Sequence, residues 1–207
     1  MIKNIVYDIG MVLIDFAWAQ AMKDLGYSEE TIDFLDKNFV NHELWDELDR
    51  GVMEESDVIN LFCERHPQYE EEIRKFWDNN ILTVRPYDYS APWVKDMKDM
   101  GLNTYLLTNY PDTLFDKSVK YAFPFYPYID GEIVSSRVKI RKPDEGIYKA
   151  LLEKYNLKAE ECLFFDDRII NIEAAKKLGF NAHVFTSYEE ARKIIDSYVN
   201  KNLRGLF

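Results

Sequence analysis

A run of four apolar residues, 162–165, is followed at once by two acids, Asp166 and Asp167. Such a short, continuously apolar run is typical of a central strand in a parallel sheet, because helices cover both faces of that strand. In open parallel sheets, ligands bind at the carboxyl ends of the strands. The two acids are therefore expected at a ligand site, and adjacent carboxylates repel each other unless a cation neutralises them.

The second half of the chain alternates strand and helix patterns. Apolar periodicity predicts helices over residues 90–100, 111–121 and 143–155, and a further helix that ends at Gly179. Strands are predicted over residues 102–107, 162–165 and 182–185, and Ser187 is expected to cap a final helix. This alternation predicts an α/β fold, a doubly wound parallel sheet with right-handed crossovers.

Residues 15–83 differ, because they show no clear strand pattern. They hold amphipathic helical stretches near residues 17–25, 29–39, 54–65 and 69–82, with a turn at Gly51. We predict that residues 15–83 form a helical cap domain, inserted into an α/β core of residues 1–14 plus 84–207. A bundle inserted directly after the first strand is expected to lie over the carboxyl edge of the sheet, as a lid.

Composition limits the class of partner. The chain has 207 residues, of which 47% are apolar, and its net charge is −11. A sizeable core is expected, whereas nucleic acid and anionic membranes are not expected as main partners. Two separated cysteines in apolar contexts predict reduced thiols and a cytoplasmic protein, and we expect neither a signal peptide nor a membrane span. The oligomeric state is not determined by the sequence.

Further polar residues follow the other predicted strands. Asp8 ends the apolar run of residues 2–8, where a carboxylate can bind a metal or act as a nucleophile. Gly10 follows, and a glycine permits an unusual backbone angle and the close approach of a ligand. The hydroxyl of Thr108 and the N–H groups from Asn109 onward suit phosphate oxygens, although, for this segment alone, a simple turn is the better explanation.

Lys142 stands directly before a proline, which restricts its backbone and therefore aims its side chain. Its ammonium group suits a phosphate, with Arg141 and Lys139 as near alternatives; in isolation, a solvated basic turn is the commoner structure. Taken together, these side chains suit a divalent cation that holds a phosphoryl group, and Mg²⁺ prefers such carboxylate ligands. No His-Cys spacing typical of zinc and no serine-nucleophile motif is present.

The order and placement of these motifs resemble the haloacid dehalogenase superfamily, whose members are mostly Mg²⁺-dependent phosphatases. The resemblance covers nearly the whole chain. The residues around Asp8, Lys142 and Asp166-Asp167 resemble those of the branch that includes bacterial α-D-glucose-1-phosphate phosphatases. The four motifs of the family fall, in order, on Asp8, Thr108, Lys142 and the pair Asp166-Asp167.

The resemblance implies a role for each of these residues. Asp8 would attack phosphorus and form an aspartyl-phosphate, and Lys142 would neutralise charge and orient Asp8. The implied ligands of Mg²⁺ are Asp8, the carbonyl group of Gly10, Asp167 and, directly or through water, Asp166. The implied phosphate-binding residues are Thr108, Asn109 and Lys142.

One position departs from the pattern. Most family phosphatases carry a second Asp two residues after the nucleophile, as general acid and base, and here that residue is Gly10. A positioned general acid is worth about 10² to 10⁴ in rate, so we expect an unusually steep dependence on the leaving group. The candidates for a replacement acid are Asp15, His42, Glu43 and Tyr110. Position 11, often Asn in the resembling branch, is Met11.

The sequence therefore predicts a phosphatase that hydrolyses a small phosphorylated metabolite, with a sugar phosphate as the expected substrate. Two alternatives stay open. One is a dehalogenase-type hydrolase with Asp8 as nucleophile, and the other is a catalytically weak relative that binds phosphate esters.

Overall fold

The computed structural model describes residues 1–204, with side chains through residue 199. The central sheet has the strand order β5-β4-β1-β6-β7, and every neighbouring pair is parallel. The strands are β1 Asn4–Tyr7, β2 Ile14–Phe16, β3 Val84–Pro86, β4 Asn103–Thr108, β5 Gly131–Val134, β6 Cys162–Asp166 and β7 Asn181–Val184. β2 and β3 stand apart from this sheet and pair with each other as an antiparallel ribbon.

Helices connect the strands and cover the sheet. They are α1 Trp18–Asp24, α2 Glu29–Leu35, α3 Trp45–Arg50, α4 Glu55–Arg65, α5 Glu70–Asp78, α6 Ser90–Asp99, α7 Asp112–Tyr121, α8 Ser135–Val138, α9 Glu145–Lys154, α10 Ile169–Lys177 and α11 Tyr188–Arg204. A π-helical turn, Asp36–Val40, continues α2. Among the described residues, no helix is both long and apolar enough to cross a bilayer.

The sheet has an apolar cluster on each face, because successive side chains of a strand point to opposite sides. On one face, Tyr7 and Phe165 pack with Trp93 of α6, and α7 and α11 contribute to the same cluster. On the other face, Val6 and Phe164 pack with residues of α9 and α10. Helices therefore cover both faces of a parallel sheet, which confirms the predicted doubly wound α/β fold.

The segment from residue 15 to residue 83 has an apolar cluster of its own. Phe39 lies at its centre and makes edge-to-face contacts with Phe62 and Phe76, with ring centroids 4.5 and 5.9 Å apart. The ribbon of β2 and β3 lies at the two ends of this segment and was not predicted from the sequence. Both cysteines are buried free thiols, Cys63 in this cluster and Cys162 in β6, as the sequence predicted.

Candidate active site

Asp8 lies at the carboxyl edge of the sheet, directly after β1. Its backbone N–H donates to the carbonyl of Phe165 at 2.9 Å, so the strand pairing with β6 continues through this residue. The N–H of Ile9 donates to Asp8 Oδ1 at 2.7 Å, which fixes the carboxylate. Asp8 is buried but lines a cavity at this edge, so its second oxygen is available to a ligand.

Lys142 is the cation beside Asp8. Its Nζ lies 2.8 Å from Asp8 Oδ1 and 2.7 Å from Asp166 Oδ2, and the residue is only 1% exposed. The Asn109 side chain holds the Lys142 backbone from both sides, since its amide donates to the carbonyl at 3.0 Å and its oxygen accepts from the N–H at 2.8 Å. Burial lowers the pKa of Lys142, but Asp166 and Asp8 outweigh it and raise that pKa overall. The ammonium group is thus fixed and charged.

The two near alternatives for this cation have other partners. Arg141 pairs with Asp46 of α3 through two bonds of 2.6 Å, and Lys139 donates to the carbonyl of Gly51 just after α3. Both therefore join the segment 15–83 to the core, and only Lys142 of the three contacts Asp8.

Asp166 and Asp167 differ sharply in their surroundings. Asp166 ends β6, is fully buried and accepts from Lys142, from the Arg168 N–H at 2.9 Å and from the Asn171 amide at 2.9 Å. The Asn171 side chain therefore braces this loop. In contrast, Asp167 is partly exposed and lines the cavity. Asp167 is therefore the more accessible of the two acids.

The three acids form a set that suits a cation. One oxygen from each of Asp8, Asp166 and Asp167 lies within 4.8 Å of the other two. Burial raises the pKa of Asp8, with a further rise from Asp166 and a partial offset by Lys142. Burial and then Asp166 raise the pKa of Asp167 as well. Lys142 pairs with Asp8 and Asp166, and Arg168 lines the cavity and lowers the pKa of Asp167. Three carboxylates still outnumber these two cations, so a divalent cation fits this set.

The cavity above the acids has a volume of about 220 Å³ and lies between the sheet edge and α3. Its lining includes both polar and apolar side chains. The polar ones are Asp8, Asp49, Asn109, Tyr110, Lys142, Asp167, Arg168 and Asn171, and the apolar ones are Met11, Ile14, Phe16, Trp45, Pro111 and Leu114. Thr108 ends β4 nearby but is 1% exposed and is not one of the lining residues. A larger cavity of about 670 Å³ also lies along α3 and is lined by none of the three acids.

Asp49 is the functional candidate that sequence reasoning missed. It lies on α3 and enters the cavity from the segment 15–83. Of the replacement acids considered from the sequence, Asp15, His42 and Glu43 do not line this cavity. Tyr110 does, but its hydroxyl is paired with Ser118 at 3.2 Å.

The loop after Asp8 contains one left-handed backbone angle. Glycine permits such an angle at position 10, but the residue with positive φ is Met11, at 56°. A Cβ atom built at Gly10 would meet no atom within 4 Å. Neither strain nor crowding therefore requires glycine at position 10, and the space beside the Asp8 loop is open.

Comparisons with known proteins agree with this geometry. The model of the haloacid dehalogenase-like hydrolase family matches residues 2–179. A sesquiterpene phosphatase of Aspergillus oryzae is 26% identical over 185 residues, which cover 86% of each chain. A D-ribitol-5-phosphate phosphatase of Bacteroides thetaiotaomicron is 28% identical over 193 residues, 87% of this chain and 90% of the relative.

Among solved structures, a haloacid dehalogenase family enzyme of Bacteroides thetaiotaomicron, in complex with magnesium and inorganic phosphate, has a similar fold. Its TM-score is 0.74 at 22% sequence identity, and the match covers 91% of this chain and 96% of that one. At this identity the likeness concerns the fold.

Proposed function

The chain belongs to the haloacid dehalogenase-like hydrolases, and on that premise we propose that it is a Mg²⁺-dependent phosphatase of a small phosphorylated metabolite. The observation that carries the proposal is the contact of Asp8 with Lys142 at 2.8 Å, within a set of three acids at the sheet edge. This arrangement supplies both a nucleophile and the charge that a phosphoryl group needs.

Asp8 is the nucleophile in this proposal. One of its oxygens is held by Lys142 and by the Ile9 N–H, which leaves the other to attack phosphorus. The bond between phosphorus and the leaving oxygen then breaks, and Asp8 carries the phosphoryl group until water releases it. Lys142 lowers the pKa of Asp8 against the effect of burial, which favours the ionised nucleophile, and it stays close to the charge that develops on the phosphoryl oxygens.

The donor set fits Mg²⁺. Asp8, Asp167 and the carbonyl of Gly10 are the proposed direct ligands. Since both oxygens of Asp166 already accept hydrogen bonds, we assign Asp166 to a water-mediated position. The cation would draw charge from the phosphoryl oxygens and hold the group in line with Asp8.

Thr108 and Asn109 are the proposed contacts of the remaining phosphoryl oxygens. The Asn109 side chain is already bonded to the Lys142 backbone, so its contribution to phosphate binding comes from the backbone N–H of this turn. Thr108 would contribute its hydroxyl from the end of β4.

Residues 15–83 are the proposed cap, and they line the leaving-group side of the cavity. Sugar phosphates are the proposed substrates, and Trp45 offers a ring on which a sugar can pack. Prenyl phosphates are a second substrate class that the cavity lining supports, because Met11, Ile14 and Phe16 are apolar. One relative is named as a sesquiterpene phosphatase. A parallel screen of sugar phosphates and prenyl phosphates separates the two classes by kcat/KM.

Two other functions predict different behaviour. A dehalogenase with Asp8 as nucleophile on carbon needs no metal and would act without Mg²⁺. A binding relative would hold phosphate esters without turnover. The acid set and the buried contact between Lys142 and Asp8 support the phosphatase.

The test is hydrolysis of p-nitrophenyl phosphate with Mg²⁺ or with EDTA, by the wild type and by Asp8→Asn. Turnover that needs both Mg²⁺ and Asp8 is the expected result. Turnover in EDTA, or undiminished turnover by Asp8→Asn, would contradict the proposal, as would a folded wild type without any turnover.

A further inference from the structure

The Asp49 carboxylate is free within the cavity. Asp49 shares the cavity with Asp8 and Lys142, yet among the described residues no side chain or backbone group hydrogen-bonds or pairs with its carboxylate. The nearby guanidinium of Arg141 is held by Asp46 through two bonds of 2.6 Å. A carboxylate that has no partner and faces a cavity is available to a ligand.

The backbone around Asp49 is fixed to the core. The Ser135 hydroxyl donates to the Asp49 carbonyl and accepts from the Tyr110 N–H at 3.0 Å. Lys139 donates to the carbonyl of Gly51, two residues later. These contacts hold the end of α3 against the turn that follows β4, so the Asp49 side chain has a defined position above the sheet edge.

Position 10, two residues after the proposed nucleophile, offers no acid. Gly10 has no side chain, and the space that a side chain would occupy there is open. Of the carboxylates that line the cavity, Asp8 is the proposed nucleophile and Asp167 a proposed metal ligand. Asp49 is the remaining one, and it reaches the cavity from α3, within the segment proposed to line the leaving-group side.

Resting on the proposed phosphatase function, we propose that Asp49 is the general acid and base of this enzyme, supplied by the cap in place of an acid at position 10. In the first step, Asp8 attacks phosphorus, the bond from phosphorus to the leaving oxygen breaks, and that oxygen takes the proton of Asp49. In the second step, water attacks phosphorus and gives a proton to Asp49. The bond between Asp8 and phosphorus breaks, and inorganic phosphate leaves.

The electrostatic surroundings support this role. Burial raises the pKa of Asp49 to about 7, with Arg141 and Lys142 opposing the rise and Asp46 and Asp8 adding to it. A group with such a pKa is present in both protonation states near neutral pH, as a residue that first donates and then accepts a proton must be. The steep leaving-group dependence expected from Gly10 then belongs to a variant without Asp49, rather than to the wild type.

The test compares p-nitrophenyl phosphate with benzyl phosphate, which is similar in size but has a far poorer leaving group. Asp49→Asn is expected to lower kcat/KM for benzyl phosphate about 100-fold or more, and that for p-nitrophenyl phosphate less than about tenfold, because only the poor leaving group needs the proton. Asp33→Asn, an exposed acid of α2, is the matched control and should leave both values unchanged. Asp49→Ser serves as a second variant.

Two further readouts separate proton transfer from a structural role. Asp49→Asn should show a burst of p-nitrophenol, since the second step also loses its base and the aspartyl-phosphate accumulates. Gly10→Asp in the Asp49→Asn background, which the open space at Gly10 accommodates, is expected to restore activity on benzyl phosphate.

Equal losses on both substrates, or no loss on either, would overturn the role of Asp49 and leave the phosphatase standing. A wild type without Mg²⁺-dependent turnover would contradict the proposed function itself, and the role of Asp49 would fall with it.

Discussion

Lys142→Met is expected to destabilise the fold strongly, because it removes the cation between two buried carboxylates. The Lys142 Nζ lies 2.8 Å from Asp8 and 2.7 Å from Asp166, and Asp166 is fully buried. Removal of one partner from a buried ion pair costs about 3–5 kcal/mol, since the other charge stays buried and unpaired. Asp166 keeps its bonds from Asn171 and Arg168, so we expect a loss near the lower limit, about 3 kcal/mol in the free energy of unfolding.

The assay is urea unfolding at neutral pH in EDTA, followed by far-UV circular dichroism. The matched control is Lys149→Met, which makes the same chemical change at a lysine whose side chain is 53% exposed and lies 2.9 Å from Glu145. Such exposed pairs contribute little to stability, so the control should be nearly neutral.

The difference in stability between the two variants shows whether the ion pairs of Lys142 stabilise the fold. A drop of about 6–12 °C in the thermal midpoint should accompany the loss in Lys142→Met, at about 2–4 °C per kcal/mol for a chain of this size. If Lys142→Met loses no more stability than Lys149→Met, then the ion pairs of Lys142 do not stabilise the buried Asp8 and Asp166, and the electrostatic reasoning is wrong.

Three further predictions concern the cation, the pH dependence and the position of the cap. Mg²⁺ at about 100 times its Kd should raise the free energy of unfolding of the wild type by about 2.7 kcal/mol. In thermal melts, Asp167→Asn should lose most of that gain. An undiminished gain in this variant would place the cation elsewhere. Because the folded-state pKa of Asp49 is about 7 against an ordinary 3.8, the folded state binds the extra proton and loses stability as pH rises between these values. In EDTA, the stability of Asp49→Asn relative to the wild type should therefore increase as pH rises from about 4 to 7. A stability difference that is constant from acid to neutral pH would refute this. Gly51→Ala places a Cβ atom 2.5 Å from the Ser136 carbonyl oxygen at φ 63°, whereas the Cβ atom of Gly26→Ala, at φ 84°, meets nothing within 4 Å. Urea unfolding should therefore show the larger loss of stability for Gly51→Ala. Equal losses would contradict the close contact between Gly51 and Ser136.

The central strands could be predicted from the sequence because burial on both faces leaves a continuous apolar run, as in β6. The edge strand β5 was missed. It begins with Gly131, includes Glu132 and lies at the margin of the sheet, where one side lacks a neighbouring strand. Its apolar signal is therefore short and interrupted.

The same reasoning explains why Asp49 was missed. α3 has six residues, four of them charged, and only Leu48 is buried. A helix with so small an apolar face gives no periodic signal, and its acids resemble an ordinary solvated surface. Only the fold shows that this short helix packs against α8 and brings Asp49 into the cavity that Asp8 lines.

The left-handed backbone angle of the loop after Asp8 falls on Met11 and not on Gly10. Glycine tolerates such an angle more readily than methionine, so its presence at position 10 does not show where the angle lies. Asn also tolerates left-handed angles well. The branch that this chain resembles often has Asn at position 11, and this substitution was the signal that the angle lies at Met11. The Met11 side chain is 46% exposed, so the turn leaves it at the mouth of the cavity.

The most direct test of the phosphatase mechanism is to locate the phosphoryl group on the protein. The enzyme is mixed with p-nitrophenyl phosphate and Mg²⁺, quenched in acid within one turnover and digested for peptide mapping by mass spectrometry. A phosphorylated peptide that contains Asp8 is expected, and it should be absent in EDTA and in Asp8→Asn. Turnover without any phosphorylated peptide, or a phosphoryl group on another residue, would contradict it.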